Sequence, residues 1–349
     1  MVINERPGVY SSIDVSSSIT GSRMGRTVGI AAVAALGVKG ECKRITSYGE
    51  AVTAFGKDCS LTELARILFM NGAAAIEAVP AVIGGAVPLK ADYEAAFAVL
   101  MKKEKVSVML CDSTAADIHN AMRLAIEGGT EGCKYRIGIV EAVGEISTLS
   151  AKAGALNSER MVMVYPGESG VGARVGAVAA ALAGVIAAGG DPALPVNGAE
   201  LVGLENFLQI YSDADINTLV QAGITPIESV GGKNCVVRGI TTKTTTGGEA
   251  DVTWRELTTV LIVDDVIPSV RAALRVKFPR VKNTAQTRGA IRTQVIIELE
   301  SKLKQEIIDS YGAVSAVADV SDPTVCMVSF EFAVAHGLNR INLTAHISV

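Results

Sequence analysis

Two hydrophobic periods divide this chain. Positions 28–36 form one apolar run with Gly37 and Gly40 behind it, which predicts a buried strand. Leu61, Leu64, Ala65 and Leu68 then recur at helical spacing, predicting a helix over 61–70 that Ser60 can cap and Asn71-Gly72 ends. The alternation continues. Strands are predicted at 75–82, 106–110, 136–141 and 161–165, and helices at 91–100, 115–127 (closed by Gly128-Gly129), 146–156 and 171–188. Strands separated by helices of this length predict a parallel sheet with helices on both faces.

Near residue 230 the pattern changes. A turn at 230–234 leads to a strand over 235–240 and a polar tip over 241–248. Positions 252–263 read as strand, with a helical turn near Trp254. Helices are predicted at 267–278 and 284–311, the second with Ile291, Val295, Leu299, Leu303 and Ile307 four apart, Asn283 and Gln286 resembling a capping box, and Gly312 as the stop. A strand follows at 325–334. This half predicts an α+β domain.

Both ends alternate strictly. Ile341, Leu343, Ala345, Ile347 and Val349 fall on one face, and Arg340, Asn342, Thr344, His346 and Ser348 on the other. Val9, Ser11, Ile13 and Val15 alternate likewise with Tyr10, Ser12, Asp14 and Ser16, ahead of a polar small-residue linker over 16–22. A terminal strand exposes a row of unpaired N–H and C=O groups, which proteins normally pair, cover or blunt. The last ten residues hold no proline and one formal charge, so they read as a strand built for pairing, with another chain among the candidate partners.

Bulk properties narrow the function classes. At 349 residues the chain has room for two domains. The expected division is an arm and linker over 1–22, an α/β domain over 23–230, an α+β domain over 231–335 and a second arm over 336–349. Aromatics are only 4% against 49% hydrophobic residues and a mean hydropathy of +0.36, so the core is close-packed aliphatic. The apolar run 175–190 is shorter than the ~20 residues of a membrane span and reads as a buried helix. No signal peptide is expected, since no apolar region follows Arg6. Six scattered cysteines without a C-x-x-C pair argue for reduced thiols and against zinc.

Net charge is −4, which does not advertise nucleic-acid binding, yet its distribution is uneven. Arg271, Arg275, Lys277, Arg280, Lys282, Arg288 and Arg292 occupy one stretch with no Asp or Glu. Without them the chain holds 25 basic against 36 acidic residues, a balance of −11. A solvated helix face would mix signs. The stretch reads as a docking surface for something acidic. Nucleic acid is a weak candidate, because only Phe278 could stack, and an acidic protein is at least as good.

Catalytic readings fare worse. The segment 167–176 follows a strand and opens a helix, where a dinucleotide fingerprint would sit, but its spacing is G-x-G-x-x-x-G and Asp191 has no strand to carry it. The competing explanation is a tight turn whose glycines let Ala-rich surfaces approach. Gly167-Glu168-Ser169-Gly170 lacks the last glycine of a nucleophile elbow, and of the three histidines two, His336 and His346, lie at the terminal arm. Asp112 and His119 read as a strand end and a helix surface. Asp264-Asp265 reads as acids in a helix's first turn rather than as metal ligands.

In order along the chain stand Arg6-Pro7-Gly8-Val9-Tyr10, Tyr48-Gly49-Glu50-Ala51 with Phe55-Gly56, and Phe69-Met70-Asn71-Gly72-Ala73. Tyr165-Pro166-Gly167, Ala187-Ala188-Gly189-Gly190-Asp191 and Pro195-Val196-Asn197-Gly198 follow. Last come Val237-Arg238-Gly239-Ile240-Thr241-Thr242, Trp254-Arg255-Glu256-Leu257, the run from Val260 to Asp264, and Phe278 with Lys282-Asn283. In this order the chain resembles the contractile tail sheath proteins of phages and phage-tail-like particles, and looks most similar to the sheath of a diffocin-type bacteriocin. The β-rich insertion of many sheath proteins is absent between Val82 and Ala91.

The resemblance implies a subtilisin-like parallel α/β sheath domain without a catalytic triad, an α+β C-terminal domain and two extended β arms. It implies no enzyme activity and no cofactor or metal. It implies a helical homo-oligomer of stacked hexameric rings around an inner tail tube, ending at baseplate and terminator proteins, with no nucleic acid and no membrane insertion. Assembly would occur in the bacterial cytoplasm, within a phage tail or bacteriocin particle. Under it, Val9, Ser11, Ile13 and Val15 with Ile341, Leu343, Ala345, Ile347 and Val349 pair between subunits, and the seven cations of 271–292 dock on an acidic inner tube. The alternative is an α/β nucleotide-binding enzyme using the loop from Gly167 to Gly176.

Overall fold

The computed structural model describes residues 26–131, 134–167, 174–205, 207, 211–339 and 343–344. The arm positions Val9, Ser11, Ile13, Val15, Ile341, Ala345, Ile347 and Val349, and 168–173 of the glycine-rich loop, lie outside them.

Strands β1 (Thr27–Ala34), β2 (Lys43–Ile45), β3 (Ile76–Ile83), β4 (Val106–Cys111), β5 (Ile137–Glu141), β6 (Met161–Tyr165), β7 (Ile224–Val230) and β8 (Lys233–Val236) form one eight-stranded sheet. Its order is β2-β3-β1-β4-β5-β6-β7-β8, parallel throughout except for the antiparallel edges β2 and β8. Its strands are apolar on both faces because both are covered. Ile30 and Ala32 point to one core with α1 (Tyr48–Phe55), α2 (Ser60–Met70) and α6 (Ala177–Ala188). Ala31 points to the other with α3 (Lys90–Leu100), α4 (Ala116–Glu131), α5 (Ile146–Leu156) and α7 (Asp213–Gln221). The Ala-rich helix α6 packs closely on α2. A Cβ on Gly184 would stand 2.6 Å from Asn71 Cβ and 2.9 Å from the Leu68 carbonyl.

Beyond a small hairpin, β9 (Thr245–Thr246) with β10 (Glu249–Ala250), come α8 (Leu257–Lys277) and α9 (Ala285–Lys304). Then follow β11 (Ile308–Tyr311), β12 (Ser315–Ala318), β13 (Cys326–Ser329) and β14 (Phe332–Val334). Helix α8 joins the two halves. Leu257, Val260 and Leu261 belong to the sheet's core, while Ile262, Val266 and Val270 build a third core with Val295 and Leu299 of α9.

Several expectations are corrected. The β-branched run over 252–263 is not a strand: it holds the start of α8, because i, i+4, i+8 burial in two cores outweighs local strand propensity. The helix expected over 284–311 stops at Lys304. Glu306 takes a left-handed φ of 57° and the chain leaves as β11, pairing with β14. Thr284, not Asn283, caps α9, accepting from the Thr287 N–H. The strand expected over 325–334 is two, β13 and β14, with different partners. Gly128-Gly129 does not close α4 but lets Met101 approach, whose Cε a Gly129 Cβ would meet at 2.0 Å. Helix α6 begins at Ala177 rather than 171, and Cys59, not Ser60, is the N-cap of α2. Asp264 and Asp265 sit inside α8, not at its start, and His119 is buried rather than on a helix surface.

Candidate functional site

An open parallel sheet offers ligands the crevice at the carboxyl ends of its strands, above all where strand order reverses. Here that point lies between β1 and β4. The chain fills it. Asp112, just beyond β4, accepts the Val33 N–H at 2.9 Å and the Tyr93 hydroxyl at 2.5 Å. Burial pushes the Asp112 carboxyl up, against those hydrogen bonds.

The glycine-rich loop enters α6, whose N-terminus would be its phosphate site. That position is also taken. Buried Glu141, at the end of β5, accepts from the Gly176 N–H (2.8 Å), the Val178 N–H (2.6 Å) and the Ala179 N–H (3.2 Å). Orphan donors and positive dipole at a helix start favour an anion, and the chain supplies its own. Gly176 is required there: its φ is 93°, and a Cβ would stand 2.8 Å from the Cys111 carbonyl. His119 Nε2 lies 2.7 Å from the Ser113 carbonyl, and burial holds the imidazole below its ordinary pKa. Among the described residues no group of three His, Cys, Asp or Glu is placed to hold a metal ion. Nothing in the sequence reading had marked Glu141; its signal was an acid closing the apolar strand before a glycine-rich turn.

The seven cations are all described, and the structure sorts them. Arg271 turns to the sheet domain, its guanidinium 5.8 Å from the centre of the Tyr135 ring. Arg160 approaches the same ring at 5.4 Å, and its Nη1 donates to both oxygens of Asp264 on α8, at 2.6 and 2.7 Å. Burial pushes the Asp264 carboxyl up although Arg160 pulls it down. Lys302 of α9 pairs with Asp265 beside it. Arg271 thus belongs to the junction between the halves. Lys277 donates to Gln294 at 2.6 Å, and Arg288 to the Asn283 side chain at 3.0 Å. Arg275, Arg280, Lys282 and Arg292 are exposed, with no ion pair or side-chain hydrogen bond among the described residues.

A second unfilled feature lies nearby. Strands β11 and β14 form one two-stranded antiparallel sheet, and β12 and β13 another. Among the described residues each sheet stops at two strands, which are marginal without further pairing. The chain leaves this region through Gly337, where a Cβ would press on Pro195 at 2.9 Å, and Asn339, whose Oδ1 accepts from Asn197 Nδ2 at 2.7 Å. Leu343, the described member of the expected C-terminal arm face, is exposed.

Residues 249–348, which span α8, α9 and these two sheets, match the phage tail sheath C-terminal domain. A tail sheath protein of Bacillus phage SP01 is 29% identical over 204 residues, 56% of this chain. The chain spans only 34% of that relative's length. Among solved structures, a sheath tail protein from Desulfitobacterium hafniense superposes with a TM-score of 0.73 at 11% identity, covering 94% of this chain and all of that one. The helical sheath of the anti-feeding prophage in its contracted state also reaches 0.73, at 15% identity, over 99% of this chain and all of that one. These two likenesses establish the sheath fold: a mainly parallel α/β body with an α+β C-terminal region. No helix among the described residues is long and apolar enough to cross a membrane.

Proposed function

We propose that this chain is the structural subunit of a contractile tail sheath. Subunits polymerise helically, as stacked hexameric rings, around an inner tail tube between baseplate and terminator, and contraction drives the tube through a cell envelope. No chemistry is catalysed. The observation that carries this reading is the contrast within the sheath fold: Asp112 and Glu141 fill positions at the sheet's ligand end, while cations and strand edges in the matched domain have no partner among the described residues.

In this reading the arms around Val9–Val15 and over 340–349 extend the two-stranded sheets of neighbouring subunits, because a free strand edge captures an alternating strand. Arg275, Arg280, Lys282 and Arg292 dock on an acidic inner tube, with Lys277 and Arg288 supporting them. The particle is a diffocin-type bacteriocin assembled in the bacterial cytoplasm. Electron microscopy of the native particle tests this: sheathed tubes without a capsid are expected, and stable isolated monomers would sink the proposal. The nucleotide-enzyme alternative is disfavoured by Glu141, which occupies the anion position at α6.

A further inference from the structure

The cationic corner between α8 and α9 is tied to a second element by one side chain. Asn283 Nδ2 donates to the carbonyls of Pro323 (2.8 Å) and Val325 (3.0 Å), in the turn joining β12 to β13. Its Oδ1 accepts from Arg288 Nη1 at 3.0 Å, and its own carbonyl from the same nitrogen at 3.3 Å. One asparagine therefore holds the turn and a cation in a single geometry.

The turn is itself tightly wired. Asp319 Oδ1 accepts from the Ser321 N–H, the Asp322 N–H and the Ser321 hydroxyl, and Asp322 Oδ1 from the Thr324 N–H and hydroxyl. Hydrogen bonds from Ser321 and Thr324 lead in holding these carboxyls below the usual range, so both stay charged and bound within the turn. This ordered element nevertheless presents Val320 fully to solvent. Val281, two residues before Asn283, and Val276 are exposed as well. Arg280 and Lys282 stand beside Val281, without partners among the described residues. Rigid presentation of apolar and cationic groups together lowers the ordering cost of binding.

We propose that Asn283 makes the β12–β13 turn and the α8–α9 corner one rigid amphiphilic face, which meets an acidic protein surface through both its cations and its exposed valines. Asn283 is a positioning residue. This rests on the docking reading above and adds that docking is partly apolar and needs the turn.

The test uses full-length subunits and inner tubes purified from the particle, with binding read by co-sedimentation across a salt series. Asn283→Ala should fold, raise amide exchange over 319–325 about tenfold and weaken binding several-fold. Its salt slope should stay that of the parent, since every cation remains. Val320→Ser, an exposed change that leaves the fold intact, should weaken binding with the same unchanged slope, whereas Arg280→Gln should flatten the slope. Parent-like binding by both Asn283→Ala and Val320→Ser overturns the inference, as does unchanged exchange in Asn283→Ala. Absence of binding by the parent subunit overturns the docking reading itself, a result distinct from the other two.

Discussion

The sheet body and the C-terminal region treat polar groups in opposite ways. In the body, Asp112 between β1 and β4, Glu141 at α6 and His119 at the Ser113 carbonyl have partners on the chain's own backbone. Among the described residues of the C-terminal region, exposed cations lack partners and the two small sheets stop at two strands each. Burial explains the difference. A buried polar group left unpaired costs free energy that a marginally stable fold cannot spare, whereas an exposed one is solvated until a partner arrives.

The contrast can be broken from either side. The largest effect is expected from ending the chain at Arg340. The subunit should keep its urea midpoint and lose tube formation, seen by negative-stain microscopy; normal tubes would remove the arm from the mechanism. Next comes the junction, where both regions meet in a buried pair. Arg160→Ala strands Asp264 and should cost about 3 kcal/mol in urea unfolding, because an uncompensated buried charge is expensive. Glu141→Gln keeps one acceptor but drops the charge at α6. About 1–3 kcal/mol should be lost, and a change near zero would mean that the helix start needs no anion.

Changing Arg275, Arg280, Lys282 and Arg292 together to Gln should leave stability within about 0.5 kcal/mol per site. It should sharply reduce the salt dependence of tube binding. Equal salt slopes for variant and parent would refute electrostatic docking. The smallest effect concerns pH. Burial lowers the His119 pKa in the folded chain, so the unfolded chain binds protons first as pH falls below the ordinary value of 6.5. The parent should lose stability in urea unfolding as pH falls through 6.5, and His119→Gln should lose less. Asp112 and Asp264 act with the opposite sign, since burial raises their pKa and acidification relieves them.

Legibility followed the same division. The alternating strands and helices through β6 were readable because each buries a face locally, and the predicted bounds of α5 and β6 coincide with the observed ones. The cation cluster was readable because it depends on composition alone. What was missed depends on remote partners. The segment 252–263 looks like a strand until two separate cores claim alternate faces of α8. Arg271 looks like its neighbours until Tyr135, far away in sequence, lies beneath it. Asn283 looks like a capping residue, yet its side chain is spent on a turn forty residues later.

By itself, then, the sequence determined the α/β and α+β halves, the two alternating ends, the unbalanced charge of 271–292 and the sheath resemblance. All of these are local periods or sums. Tertiary structure alone decided which polar groups are committed and which remain open. Glu141 could have been a ligand-binding acid until α6 was brought to it, and Arg271 a free cation until Tyr135 was. Whether a group has a partner depends on chain segments that meet only in the fold, and burial then sets what that partner is worth.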